Sequence, residues 1–204
     1  MYALVKDNNI IKHFAYPKGF EHDGNLYSSD VFNKWTNDER KAIGLYEVII
    51  DKTNYKDPAY YNNTNSTYTF ADDQVTESWG TATPKSLNDE NAVDEDGNNL
   101  LDNDGNQIII YGLKTEKKRI VKQQATGLLA PTDWYVIKAT EVTDYNVPSN
   151  ITTFRADVRT KSNEMETQID ACTTVDELKS LYEYTEQDDG SFTRPLGEFP
   201  KEVV

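Results

Sequence analysis

Apolar and polar positions recur at short, strand-like spacing along the first half of this chain, and shift to helical spacing after about residue 113. "YALVKDNNIIKHF" (2–14) sets two short apolar-rich arms around Asp7-Asn8-Asn9. Asparagine tolerates the positive φ of tight turns, so the pattern predicts a β-hairpin. "TNDERKAIG" (36–44) predicts a short helix with both ends marked. Thr36 and Glu39 fit a capping box, and Gly44 can take the left-handed conformation that ends a helix. "LYEVII" (45–50) has the composition of a buried strand. Residues 51–66 hold many turn formers and no period, and are expected to form a loop. "TYTFADDQVTESWG" (67–80) alternates aromatic and β-branched residues around Asp72-Asp73, a second hairpin. Two near-copies follow, "DEDGNNLL" (94–101) and "DNDGNQII" (102–109). Each reads as a turn of a β-meander that ends in "IIIYG".

Beyond Lys114, "TEKKRIVKQQATGLLA" places Ile120, Val121, Gln124 and Leu128 on one helical face. "SNITTFRADVRTKSNEMETQIDAC" (149–172) is the strongest helix, with Ile151, Phe154, Val158, Met165 and Ile169 at helical spacing. Ser149 is its candidate N-cap, and Pro148 bars extension backwards. "TVDELKSLY" opens with a second capping box, Thr174 and Glu177. The expected architecture is α+β: a β-rich N-terminal region over 1–113, a small helical domain over 114–182, and an irregular tail over 183–204 that lies against other parts of the protein. The acidic hairpin segment at 94–106 reads as an insertion in the first region.

Charge narrows the partners. The chain has 204 residues, 37% of them hydrophobic, and a net charge of −14. Thirteen tyrosines supply apolar ring surface that the aliphatic count lacks. Residues 1–113 carry 19 acidic against 9 basic side chains, and 114–204 carry 16 against 12. Such a field repels phosphate backbones and anionic membranes, so neither nucleic acid nor a membrane is an expected partner. No apolar run approaches the ~18 residues of a membrane span. The opening stretch has neither a basic segment nor a long apolar run, and no signal peptide is expected there. The single cysteine, Cys172, cannot form an internal disulfide and is expected to be a small buried residue at a helix end. The sequons at Asn62, Asn65 and Asn150 are then expected to be incidental.

Chemistry finds few footholds. His13 and His22 are expected in a strand arm and a loop, without a positioned partner, and neither GxxxxGK[ST], GxGxxG nor GxSxG occurs. No enzymatic activity and no cofactor is expected. The aspartate repeats invite a calcium test, because hard cations take carboxylate oxygens. Placing Gly97 or Gly105 at the sixth position of a helix–loop–helix calcium loop puts Ala92 and Asn103, or Leu100 and Tyr111, at its first and last ligand positions. Both registers fail. A looser site from Asp94, Asp96, Asp102 and Asp104 is the one metal candidate, weighed against solvated hairpin turns. Tyr60, Tyr61, Tyr68 and Trp79 are candidates for a partner-binding or sugar-stacking face, weighed against ordinary strand packing.

The corner "LLAPTDWYVIKATE" (128–141) poses a separate question. Pro131 is expected to stop the helix, Thr132 to cap the next, and Asp133 to sit favourably at its N-terminus. Trp134 is expected to wedge against Leu128 and Leu129 across the corner. The segment "RIVKQQATGLLAPTDWYVIKATE" with "VPSNITTFRADVR" resembles the C-terminal domain of bacteriophage tail assembly chaperone and tail-fibre-assembly-like proteins, in a marine-phage style. Leu128, Leu129, Thr132, Asp133, Trp134, Pro148, Phe154, Arg155 and Arg159 carry the resemblance, which covers about 115–182. It implies a non-enzymatic protein bound to a tail, fibre or baseplate subunit, as an assembly chaperone or an attached minor component. The alternative is a permanent structural or adhesive virion protein contacting neighbouring subunits or host glycan. Either would place the protein in the host cytoplasm during assembly or in the virion tail, with self-association as a further expectation. Phe154 is expected in the core, and Arg155 and Arg159 paired with acids at helical spacing, or bound to an acidic partner face.

Overall fold

β1 (Tyr2–Lys6) is apolar on both sides because it lies inside a sheet covered on both faces. Tyr2 and Leu4 point to one cluster with Phe14, Phe20, Val31, Phe32 and Leu45, while Ala3 and Val5 point to another with Val48 and Val75. In the computed structural model, which describes residues 1–201, the chain is α+β and divides into two compact units, Met1–Thr83 and Pro84–Val204. The division falls well before the expected change at residue 113, so the acidic repeats belong with the helices.

In the first unit β1 pairs antiparallel with β2 (Asn9–Phe14), with a register irregularity between Leu4 and Val5. The Lys6↔Asn9 register leaves a two-residue turn, Asp7 and Asn8 at φ 50° and 62°, the doubly left-handed geometry that matches strand twist. A hairpin that the sequence reading passed over, β3 (Phe20–His22) and β4 (Asn25–Tyr27), closes the same way through Asp23 and Gly24. After the single turn α1 (Val31–Lys34), helix α2 (Asn37–Ala42) begins in the expected capping box: Thr36 and Glu39 exchange side-chain and backbone hydrogen bonds. β5 (Leu45–Asp51) pairs with the other edge of β1. The chain then loops out through β6 (Tyr61–Asn62) to β7 (Ser66–Ala71) and returns as β8 (Gln74–Trp79), parallel to β5. The expected Asp72-Asp73 turn joins the pair, both residues at positive φ. Strand order is β2-β1-β5-β8-β7. The sheet curls far enough for His13 on β2 to meet Tyr68 on β7, ring centroids 4.2 Å apart.

β9 (Thr83–Pro84) marks the boundary. In the second unit, β10 (Glu90–Asn91) and β11 (Ile109–Ile110) form a two-stranded base from which the acidic repeats project. Helix α3 (Leu113–Leu129) starts two residues before the expected span. Its first backbone donors are satisfied by the preceding strap. Leu113 and Lys114 donate to the carbonyls of Ser86 and Leu87 at 2.9 and 3.0 Å, and Gly112 donates to Asp89 Oδ1 at 2.8 Å. A single 3-10 turn over Ala130–Thr132 leads into α4 (Asp133–Glu141), followed by α5 (Ser149–Ala171) and α6 (Val175–Ser180).

α3 and α5 run antiparallel, with Ala125, Phe154 and Val158 at their centre. Lys118–Asp170 and Lys122–Glu166 ion pairs flank the seam at 2.7 and 3.2 Å. Val121 is buried as expected, but Ile120 is exposed, because the buried stripe of α3 runs through Val121 and Ala125. The expected apolar face of α5 is buried in full, and so are Arg155 and Ser162. Ser149 does not cap α5; Pro148 occupies the cap position, and its carbonyl accepts the Thr152 amide. The capping box at Thr174 and Glu177 forms. The tail packs on its own unit: Leu196 is buried and Phe199 touches the α3–α5 core, after the small hairpin β12 (Thr185–Glu186) and β13 (Phe192–Thr193).

Gly44 has φ +75°, and a Cβ there would lie 2.3 Å from the Val5 carbonyl oxygen. Gly24 shares the φ but has open space around it. Gly24→Ala should therefore cost only the left-handed conformation, about 1 kcal/mol, whereas Gly44→Ala should cost clearly more. Hydrogen exchange at the Val5 amide, which donates to Gly44 at 2.8 Å, reads the difference directly.

Candidate functional site

The corner after α3 is held by an arginine and not by the tryptophan. Leu129, Ala130 and Asp133 keep right-handed helical dihedrals and Thr132 lies close to them, so the backbone does not reverse. Pro131 falls in the first turn of the 3-10 segment, where its missing N–H costs little. Trp134 is thereby carried past Leu128 and Leu129 and stands 49% exposed. It stacks on its neighbour Tyr135, centroids 3.7 Å apart, with Lys138 Nζ 5.8 Å from its ring. The expected indole wedge is overturned. Thr132 is the residue that turns inward. Its hydroxyl does not cap α4; it donates to the Leu129 carbonyl at 2.7 Å.

Arg155 of α5 reaches this corner from below. Its guanidinium donates to the Leu129 carbonyl at 3.0 Å, to Thr132 Oγ1, and to Asp133 Oδ1 at 2.8 Å. One buried cation therefore satisfies a helix-end carbonyl, a hydroxyl and a carboxylate drawn from three successive segments. This corrects the expected pairing at helical spacing: Asp133 lies outside α5, and Arg159 donates to the Arg155 carbonyl at 3.2 Å. The cue lay in position, since residue 155 is four after Ile151 and three before Val158, on the apolar face. Phe154 is in the core as expected.

The aromatic candidates of the first unit do not make one open face. Tyr60 and Tyr61 are buried, with Lys56 Nζ 4.4 Å from the Tyr61 ring centroid. Tyr68 donates to the buried Glu77 at 2.8 Å, and burial with this bond raises its phenol pKa. Trp79 meets Tyr55 edge to face at 5.1 Å. Each of the four is thus engaged within the first unit. His13 packs on Tyr68, and His22 Nε2 lies 3.5 Å from Asp23. Cys172 is buried at the end of α5, where desolvation raises its thiol pKa. A nucleophilic thiolate needs the opposite shift.

The aspartate repeats build turns. Asp94 Oδ1 accepts the amides of Asp96 and Asn98 at 3.0 and 2.8 Å, and Asp102 Oδ1 accepts those of Asp104 and Asn106 at 2.9 and 2.8 Å. Gly97 and Gly105 both take φ +83°. Among the described residues no three His, Cys, Asp or Glu side chains converge, so Asp94, Asp96, Asp102 and Asp104 are not gathered as cation ligands.

The two repeats are joined by a closed ring of backbone bonds. Ala92 donates to Ile108, Ile108 to Leu100, and Leu100 to Ala92, all within 2.8–2.9 Å. The resulting arm, residues 90–111, exposes Val93, Leu100, Leu101, Ile108, Ile109, Ile110 and Tyr111, each 37–61% accessible. A typical monomer's largest apolar patch is about 300–600 Å² and often functional. Seven large side chains stand exposed on this one short arm, which the expected meander ending in "IIIYG" did not foretell. α4 is a second uncovered apolar element: none of its residues is buried, and Val136 and Ile137 are exposed beside Trp134. No described helix is long and apolar enough to cross a membrane. Comparison with protein-family models, curated proteins and solved structures finds no match to the chain.

Two outcomes follow from this geometry. Arg155→Met should destabilise the helical unit by about 1–3 kcal/mol, because the Leu129 carbonyl and Thr132 hydroxyl each lose a charged donor and keep only each other, while Trp134→Ala should cost well under half as much; denaturant melts followed by helical circular dichroism compare them. Amide hydrogen bonds hold the Asp94 and Asp102 carboxyls below the usual aspartate pKa. A depressed folded pKa gives stabilisation that is complete above the ordinary aspartate value and lost as pH falls through the folded one. The Asn98 and Asn106 amide resonances should hold steady down to that ordinary value, then shift together below it.

Proposed function

We propose that this chain is a non-enzymatic bacteriophage tail-associated protein that binds a tail or tail-fibre subunit, as an assembly chaperone or an attached minor tail component. The observation that carries the reading is the arm at 90–111, an acidic projection with seven uncovered apolar side chains. Such display suits association with another protein, because burial of apolar surface drives most protein–protein contacts. The resemblance of the segment around 115–182 to tail-assembly proteins supplies the viral context. Phe154 and Arg155, two of the residues that carry it, have structural work in the helical unit.

On this reading the protein acts in the host cytoplasm during assembly or stays on the virion tail, and the helical body serves to present the arm. Co-expression with the tail, fibre and baseplate subunits of the parent phage, followed by affinity purification, should recover one of them in fixed stoichiometry. Mass spectrometry of purified particles then separates a transient chaperone from a retained component. Failure to form any such complex, together with absence from particles, sinks the proposal.

A further inference from the structure

β10–β11 is a two-stranded sheet, so the outer edge of β11 pairs with no strand among the described residues. Ile109 and Ile110 are consecutive and therefore face opposite sides, yet both are exposed, which leaves both faces of β11 uncovered. The ring of bonds through Ala92, Leu100 and Ile108 fixes the strand's position, so little ordering is needed when a partner arrives.

Charge decides what fits. Between Lys85 and Lys114 the chain holds seven acidic side chains, Asp89, Glu90, Asp94, Glu95, Asp96, Asp102 and Asp104, and no lysine or arginine. A second copy laid edge to edge along the same arm would set one acidic rim against another, and like charges facing across strands are destabilising. The complementary occupant has an apolar centre and a basic rim.

We propose that the outer edge of β11, with the exposed apolar side chains of Ile108, Ile109 and Ile110 along the strand, is a docking strip for an extended, apolar, lysine- or arginine-flanked segment of another protein, which adds to the sheet as a third strand. This rests on the tail-binding reading only for the identity of the partner. Main-chain hydrogen bonds supply the affinity, side-chain alternation sets the register, and the acidic turns select the charge.

The test uses the full chain and a fluorescent peptide of alternating valine and threonine flanked by lysines. Two controls are the same peptide flanked by glutamates and the lysine form with a central proline, which removes a ladder donor. The lysine peptide should bind at least about tenfold more tightly than either control, and its affinity should fall as salt is raised. Ile109→Asp and Ile110→Asp should each weaken it about tenfold, with Trp134→Ala unchanged. Because a variant could lose its fold, the flank, proline and salt contrasts on the unaltered chain decide by themselves. Equal binding of all peptides, no binding of any, or self-association that the arm variants abolish would each overturn the strip. If a tail subunit still copurifies with Ile110→Asp, the tail reading stands without it; if the peptide binds but no tail subunit is captured, the strip stands alone.

Discussion

The second unit depends on one buried cation. Arg155 sits on the apolar face of α5 among Ile151, Phe154 and Val158, where an unpaired guanidinium would be costly. It is tolerated because the corner after α3 presents oxygen acceptors at the one place the side chain reaches: the Leu129 carbonyl, Thr132 Oγ1 and Asp133 Oδ1. The dependence is mutual. The last carbonyls of α3 have no partner within their own helix, and Arg155 supplies one. Asp133 is partly solvated, so its ion pair adds less than the hydrogen bonds beneath it. Three segments are thereby fixed in relation to each other with Leu128 and Leu129 packed on Phe154 and Arg155 bonded at the joint, and Trp134 stands outside.

Local signals in the sequence were followed faithfully. Two-residue turns at Asp7-Asn8 and Asp72-Asp73, the capping boxes at Thr36 and Thr174, and the C-terminal Gly44 each involve residues within a few positions of one another, so composition determines them. The long apolar stripe of α5 was legible for the same reason. What escaped needs distant partners. Trp134 was expected in the core across a reversal at Pro131, but the backbone stays right-handed there, and the partner that bonds this segment, Arg155, lies more than twenty positions away. "IIIYG" read as the last strand of a meander, and nothing local reveals that one of its edges lacks a neighbour and that its side chains stay exposed. The strap at 86–89 was invisible too, because Gly112 marks it only through a close approach: a Cβ would come within 2.4 Å of Asn88.

The two units solve the shortage of aliphatic residues differently. The first uses rings. Phe14, Phe20 and Phe32 pack mutually at 4.9–5.9 Å, with Tyr2, Tyr27 and Trp35 around them, so few residues cover much area. The second packs two long helices along a narrow stripe and seals the margins with lysine–carboxylate pairs. Leu178 and Leu196 add to the buried set, while the large apolar side chains of the arm and of α4 stand outside the core.

That distribution carries its own physical demand. An exposed strand edge bearing consecutive isoleucines is a template for indiscriminate pairing, and proteins restrain such edges with charge. Here the charge is all of one sign: five of the seven acids lie in the two turns, Asp89 and Glu90 lie at the base, and none lies in β11. Lysines spread along the edge would blunt it against every partner; acids grouped at the turns leave the strand able to pair and repel only sequences of like charge. Asp94 and Asp102 are held in their ionised form by the same hydrogen bonds that shape the turns, so the rim stays negative wherever the turns stay folded. On the proposed docking, turn geometry and partner discrimination become one property of the repeat, since the carboxylate that closes each turn is also part of the charge that would oppose a second copy.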